Sequence, residues 1–117
     1  MVYRILTFEE FCEKLENREV KHSIDTSGTF PSWIEYWEQT KKRTRDSLKK
    51  CPCCGRDVPK DDLYWVGAHV EDEDGNYYIT PTCNSCNSKY KESKADEKWF
   101  EVNINNLCPP PQQTQEY

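Results

Sequence analysis

Two segments in the first fifty residues repeat apolar side chains at helical spacing. The first begins with Thr7 and Glu10, the capping-box pair that satisfies free amides at a helix start. The second begins with the equivalent pair Ser32 and Glu35. The apolar stripes that follow are Phe8, Phe11, Cys12 and Leu15 in the first, and Trp33, Tyr36, Trp37, Thr40, Thr44 and Leu48 in the second. The spacing predicts a short helix and then a longer one, both packed on the core. An exposed aromatic face that binds a partner is the alternative.

The pattern changes to strand character after residue 62. The run LYWVGAHV is rich in strand formers, EDEDGN carries an Asp-Gly turn signal, and YYIT resumes the strand. These runs predict a β-hairpin whose second strand ends at Pro81. A helix-compatible stretch, NSKYKESKADEKW, follows, and WFEVNI favours one more short strand. The polar PPPQQTQEY at residues 109–117 is typical of a flexible tail.

Length and composition favour one domain with a small core. The chain has 117 residues, of which 35% are hydrophobic and 32% charged. Residues 1–108 are therefore predicted to form one compact domain, and a metal staple would compensate for its limited apolar content. Large aromatic side chains remove the most apolar area from water, so the four tryptophans are the expected buried anchors. They are Trp33, Trp37, Trp65 and Trp99.

The sequence also predicts a cytoplasmic chain. No apolar run approaches the roughly eighteen residues of a membrane span, which predicts no membrane partner. The start MVYRILTFEEF lacks the basic and apolar regions of a signal peptide. The chain has seven cysteines, an odd number that argues against a disulfide framework in a reducing compartment.

Metal ligation is the leading explanation for most of these cysteines. CPCCG and TCNSC stand about thirty residues apart, and two such pairs suit a structural zinc ion. The predicted ligands are Cys51, Cys54, Cys83 and Cys86. Cys53 lies inside the first pair and could replace either neighbour. Cys12 and Cys108 lack a partner at ligand spacing, so they are predicted to be a core residue and a tail thiol.

The order of knuckle, strand, strand, knuckle and helix resembles the HNH or ββα-metal nuclease family in its zinc-knuckle form, over about residues 51–98. The resemblance implies a zinc-stapled ββα-metal module over these residues. The two N-terminal helices of residues 1–49 fall outside the resemblance and precede the module, so the predicted fold is α+β. The resemblance also implies that His69 holds the place of the general base. Asn87 in CNSCNSK holds the place of a ligand to a second, catalytic metal such as Mg²⁺.

Other positions depart from the family pattern. Ala68 stands where the family has an acidic metal ligand, and Tyr78 stands near the place of the loop Asn. Glu71 or Asn76 could substitute only if the hairpin register shifts by one or two residues. Phosphodiester hydrolysis needs a metal cation as well as an activated water, so a histidine alone does not suffice. His69 is then a packing residue or a hydrogen-bond donor near the zinc site.

Charge is divided sharply along the chain, whose net charge is −5. Residues 41–60 hold eight basic and two acidic side chains, and residues 61–80 hold six acidic and no Lys or Arg. The acidic hairpin is unsuited to a phosphate backbone. The basic KKRTRDSLKK could bind nucleic acid, or it is a solvated helix end favoured by the helix dipole.

Three functions fit these observations. The first is a catalytically degenerate zinc-binding module that binds a protein or nucleic-acid partner. The second is a metal-dependent HNH endonuclease that uses Mg²⁺ or another divalent ion. The third is a small acidic inhibitor whose hairpin occupies a basic groove on its partner. Ala68 favours the first and third, which are not enzymes, and nothing in the sequence predicts a small-molecule organic cofactor.

Overall fold

A computed structural model describes residues 1–7, 9–11, 13, 32–92 and 97–110. It shows an α+β fold, as predicted. The strands are β1 (Val2–Ile5), β2 (Trp65–Asp72), β3 (Tyr77–Cys83) and β4 (Trp99–Glu101). The helices are α1 (Trp33–Lys41) and α2 (Asn84–Glu92), with short 3₁₀ turns at Arg45–Ser47 and Ile104–Asn106. No helix in this described part of the chain has both the length and the apolar character to cross a bilayer.

The predicted hairpin is present as β2 and β3. The two strands pair antiparallel from Trp65 opposite Cys83 to Glu71 opposite Tyr77. Asp72 closes the turn, because its carboxylate accepts hydrogen bonds from the backbone amides of Asp74 and Asn76. The prediction that Pro81 ends the second strand is wrong, since β3 continues to Cys83. β3 is an edge strand, where the missing N–H of a proline is tolerated.

The N-terminal residues contribute a strand that the sequence did not predict. The sheet order is β3-β2-β1-β4, so β1 lies between β2 and β4. Tyr3 is opposite Asp72 on one side and opposite Phe100 on the other. Residues 1–49 therefore contribute a strand to the sheet in addition to helical segments. With β4 present, the short strand expected in WFEVNI is confirmed at residues 99–101.

The capping box at Thr7 is confirmed. The Thr7 hydroxyl accepts from the Glu10 amide at 3.1 Å, and the Thr7 amide donates to Glu10 Oε1 at 3.0 Å. Residues 9–11 are helical. Phe8, Cys12 and Leu15 of the same stripe lie outside the described residues.

Helix α1 begins as predicted but ends early. The Glu35 amide donates to the Ser32 hydroxyl at 3.3 Å, which confirms the N-cap. The helix stops at Lys41, and Lys42 adopts a left-handed conformation with φ 56°. Glu38 then accepts hydrogen bonds from both the backbone amide and the guanidinium of Arg45, at 2.7 and 3.0 Å. These bonds turn the chain, so the predicted continuation to Leu48 is wrong.

The core joins α1 to the sheet. Trp37 and Trp65 are buried, Trp33 is half-buried, and Trp99 is 39% exposed, so the prediction fails for Trp99. Gly67 allows the close approach of α1, because a Cβ atom there would lie 2.6 Å from the backbone carbonyl carbon of Trp33.

The end of the described chain also belongs to the core. Cys108 is fully buried, and its backbone exchanges hydrogen bonds with Ile79 at 2.8 and 2.9 Å. The prediction of a tail thiol is therefore wrong for Cys108. Residues 111–117, which hold most of the predicted flexible tail, lie outside the described residues.

Candidate functional site

Four cysteine thiols converge where the hairpin meets α2. They are Cys51, Cys54, Cys83 and Cys86, and their sulfur atoms all lie within 4.8 Å of one another. Four sulfurs bound at about 2.3 Å around a tetrahedral zinc ion would lie about 3.8 Å apart. The Cys54 and Cys83 sulfurs already stand 3.8 Å apart. The cluster could therefore hold a metal ion such as zinc with all four positions filled by thiolates.

The loop and helix around the cluster turn backbone amides toward its sulfurs. Gly55, with φ +78°, closes the first turn by donating from its amide to the Cys51 carbonyl oxygen at 2.7 Å. The Cys83 amide points at the Cys51 sulfur at 3.3 Å, and the Cys86 amide points at the Cys83 sulfur at 3.4 Å. Such amides stabilise thiolate charge and orient the ligands.

Arg56 adds a positive charge at the rim of the cluster. Its Nε donates to the Cys54 sulfur at 3.1 Å, and a terminal nitrogen lies 3.8 Å from the Cys83 sulfur. Burial alone would raise the pKa of Cys54, but the hydrogen bonds from Arg56 outweigh it and the pKa is lowered. Four thiolates around a divalent ion carry a net charge of −2, which this guanidinium partly offsets. Sequence reasoning missed Arg56, although its place two residues after a ligand was a usable signal.

Cys51 shows how metal binding is linked to protons. Two effects raise the pKa of Cys51 to about 12. The larger is a hydrogen bond with the Cys86 thiol, and the smaller is burial of the Cys51 side chain. A metal ion binds the thiolate, so it must displace this proton. Metal affinity is therefore expected to rise with pH.

The two residues predicted for a catalytic site, His69 and Asn87, line the same cavity. Its volume is about 190 Å³. β2 contributes Gly67 and His69, α2 contributes Asn87 and Lys91, and residues before β2 supply the remaining walls, Leu6, Thr7, Phe11 and Trp33. The structure thus brings the hairpin histidine and the asparagine after the second knuckle to one place, under a cover from the N-terminal part of the chain.

Two aromatic rings cover the imidazole of His69. The ring centre of Phe11 lies 3.9 Å from that of His69, and the ring centre of Trp33 lies 4.7 Å away in an edge-to-face arrangement. His69 Nε2 is buried and has no hydrogen-bond partner among the described residues. Burial, with a smaller contribution from the Lys91 charge, lowers the pKa of His69 to about 3. The imidazole is therefore neutral at physiological pH. Sequence reasoning placed Phe11 and Trp33 in the core without identifying His69 as their neighbour.

The hairpin register is continuous around His69. Ala68 pairs with Thr80 and is fully buried, and Val70 pairs with Tyr78. No shift brings Glu71 or Asn76 to the position of Ala68. Asn76 lies exposed in the turn.

Glu71 belongs to a separate ionic network centred on Arg4. The Arg4 guanidinium, which is mostly buried, lies 2.7 Å from Glu71, 2.9 Å from Glu10 and 3.7 Å from Glu97. This network ties the hairpin to β1 and to the first helical residues. It also removes Glu71 from the set of carboxylates that could serve a catalytic metal.

Internal contacts occupy much of the basic segment at residues 41–60. Arg43 donates to Asn106 Oδ1 at 2.7 Å, and Lys50 donates to Asp57 at 2.6 Å. Arg45 and Arg56 are held by Glu38 and Cys54, as described above. Half of the eight basic side chains in this segment therefore have structural partners. The helix ends at Lys41, so the interpretation as a solvated helix end fits only the first residues of the segment.

Family models, curated proteins and solved structures provide no match to this chain. The likeness to HNH nucleases therefore remains one of motif and element order.

Proposed function

We propose that this chain is a zinc-binding HNH-like module that has lost catalysis and acts by binding a partner. The order of knuckle, hairpin, knuckle and helix supports the HNH-like part, together with the cysteine cluster. The observation that carries the loss of catalysis is the packing of His69 against Phe11 and Trp33, with its Nε2 atom buried. In this proposal zinc holds the module together and takes no part in a reaction.

The surroundings of His69 disfavour its action as a general base. A general base must reach the water whose proton it takes, and its pKa must lie near the working pH. Nε2 of His69 is instead buried, and the pKa of about 3 is far below that range. Ala68 supplies no oxygen ligand, so the cation that would neutralise charge on a phosphate lacks its expected carboxylate.

A protein partner is better supported than a nucleic acid. Binding to a phosphate backbone depends on Lys and Arg side chains that are available for it, and several of these are occupied internally. A groove of about 610 Å³ beside the metal centre has a mixed lining that includes Lys50, Lys60, Asp57, Asp61 and Asp62. Such alternating charge suits a protein surface of mixed charge more than a polyanion.

The proposal is tested by measuring metal content and cleavage on the same preparation. We expect one zinc per chain by elemental analysis. We also expect no nicking of supercoiled plasmid with Mg²⁺, Mn²⁺ or Ni²⁺, by the wild type or by His69→Ala. Absence of stoichiometric zinc would contradict the metal-binding part. Strong metal-dependent cutting that His69→Ala abolishes would contradict the loss of catalysis.

The second candidate is a nuclease whose site is covered in the resting chain. It is favoured by the single cavity that His69 and Asn87 share. Phe11→Ala would remove the ring that stacks on the imidazole, and Phe11→Leu is the matched control that keeps an apolar cover. Plasmid cutting by Phe11→Ala but not by Phe11→Leu would support this candidate. Inactivity of both variants would support the binding module.

A further inference from the structure

The cavity that His69 lines has the size and the mixed lining of a site for a small molecule. Its volume of about 190 Å³ exceeds the roughly 150 Å³ of an apolar cavity that admits benzene. Leu6, Phe11 and Trp33 supply large apolar walls. The groups that can form hydrogen bonds or an ion pair with a ligand belong to three further residues, His69, Asn87 and Lys91. A molecule with one apolar ring and one polar group suits this lining.

The imidazole of His69 has a polar atom that a ligand could satisfy. Its Nε2 is buried and has no hydrogen-bond partner among the described residues, although buried polar atoms usually have one. The two rings that pack against the imidazole leave Nε2 without an acceptor, because Phe11 has no polar side-chain atom and the indole of Trp33 can only donate. A neutral imidazole can carry its proton on either nitrogen. A ligand oxygen near Nε2 would therefore select the form that donates from Nε2.

Helix α2 adds a second donor and a positive charge to the same cavity. Asn87 and Lys91 are four residues apart on α2, so they lie on one face of the helix. Lys91 is exposed, which places one end of the cavity at the surface, and it forms no ion pair with another described residue. Its charge is close enough to His69 to lower the pKa of the imidazole.

The charge of the lining selects an anion. The described residues that line the cavity include Lys91 and no Asp or Glu. A divalent cation would find no carboxylate there and would be repelled by the ammonium group. A carboxylate, in contrast, accepts hydrogen bonds from neutral donors and pairs with a cation, and such charge-assisted hydrogen bonds are stronger than neutral ones.

We propose that the His69 cavity binds a small aromatic carboxylate. The carboxylate accepts hydrogen bonds from Nε2 of His69 and from the side-chain amide of Asn87, near the ammonium group of Lys91. The ring of the ligand packs against Phe11 and Trp33. This inference goes beyond the binding of a protein partner, and it requires neither a reaction nor a second metal ion.

Benzoate is the probe, added to the full-length chain at pH 7 and followed by proton NMR. The imidazole resonances of His69 are assigned by their loss in His69→Gln. They should shift in a saturable way with a Kd of about 1 mM or tighter, which is ordinary for a ligand of this size. Benzamide has the same shape without the charge, and acetate has the charge without the ring. Each should bind at least about 10-fold more weakly than benzoate. Absence of a saturable shift at His69 up to about 20 mM benzoate, or equal binding of benzamide or acetate, would overturn the inference.

Two lysine variants locate the carboxylate. Lys91 lines the cavity, whereas Lys89 lies on the same helix and is absent from the lining. Both side chains are exposed, so neither substitution by Gln should unfold the chain. Lys91→Gln should weaken benzoate about 10-fold and leave benzamide unchanged, and Lys89→Gln should stay within about 2-fold of the wild type. Equal affinities of the two variants for benzoate would overturn the inference.

Discussion

The cysteine cluster and the His69 cavity are neighbours in the fold, but their polar groups have opposite surroundings. At the metal centre, backbone amides and Arg56 surround the sulfurs and leave them facing one another. In the cavity, two aromatic rings face the imidazole and its buried Nε2 has no partner among the described residues. The first region is arranged so that it could hold a metal ion. The second is closed by the chain's own side chains.

The largest expected effect comes from removing the metal. Cys83→Ser, or a strong chelator, should unfold residues 51–98, because structural zinc contributes roughly 10–16 kcal/mol of apparent binding energy, comparable to the whole stability of a small domain. Circular dichroism melts with zinc analysis measure this. Ser85→Ala, an exposed position between the second pair of ligands, is the control. A Cys83→Ser variant that melts at the wild-type temperature would contradict the prediction that metal binding at the cysteine cluster stabilises the fold.

The next effect tests whether one core joins the two regions. Trp37 is fully buried and its indole N–H donates to the Asn106 carbonyl oxygen at 2.8 Å. Trp37→Ala should destabilise the chain by roughly 3–5 kcal/mol. Urea unfolding should show zinc release and the change in tertiary structure shifting together. Trp99→Ala, at a partly exposed site, is the matched control and should cost far less. Separate transitions for the two regions would contradict a single cooperative domain.

Gly67→Ala probes the contact between α1 and β2 beside the cavity. The added methyl group would meet the backbone of Trp33 at 2.6 Å, so α1 must shift. Overpacking of this kind costs roughly 1–3 kcal/mol. Chemical denaturation gives the change in stability, and hydrogen exchange at the β2 amides gives its location. Unchanged stability and exchange would show that the helix is free to move away from the sheet.

The smallest expected effect is the pH dependence that His69 contributes. Its pKa is about 3 in the folded chain, against an ordinary value of 6.5. The unfolded chain therefore binds a proton on this residue as pH falls below about 6.5, while the folded chain does so only near pH 3. Stability is thus lost as pH falls through this window, by about 1 kcal/mol between pH 7 and 5.5.

Comparison of wild type with His69→Gln isolates that contribution. Urea unfolding at pH 7 and pH 5.5 should show a larger loss for the wild type. The other histidine, His22, and the thiols are common to both chains. Equal losses, or a proton NMR titration that places the pKa of His69 near 6.5, would show that the imidazole is open to water.

Sequence reasoning succeeded where a local rule decides the structure. The four clustered cysteines follow from ligand spacing, since a zinc ion accepts few residue types and holds them close together. The hairpin follows from two runs rich in strand formers around an Asp-Gly turn signal, and the helix start at Thr7 follows from a reciprocal pair of hydrogen bonds three residues apart.

It failed where distant residues decide. β1 has only four residues, which is too few for a periodic pattern in the sequence. It forms a strand because it pairs with β2 on one side and with β4 on the other. The position of Phe11 and Trp33 over His69 depends on where their helical segments pack against the sheet. An apolar stripe shows that a helix has a buried face, but it does not show which residues that face contacts. Cys108 was predicted to be a tail thiol. It pairs with Ile79, which is distant in sequence, so no local pattern around Cys108 indicates this contact.

The central place of β1 has a consequence for the order of folding. The second cysteine pair closes a loop of moderate length back to the first, and β2 and β3 are adjacent in the chain, so both can form at low entropic cost. β1 must instead wait for partners near residues 70 and 100. We therefore expect metal capture and the hairpin to come first and β1 to dock last. Folding kinetics of Tyr3→Phe or Ile5→Val should then show φ-values near zero, and values near one would reverse this order.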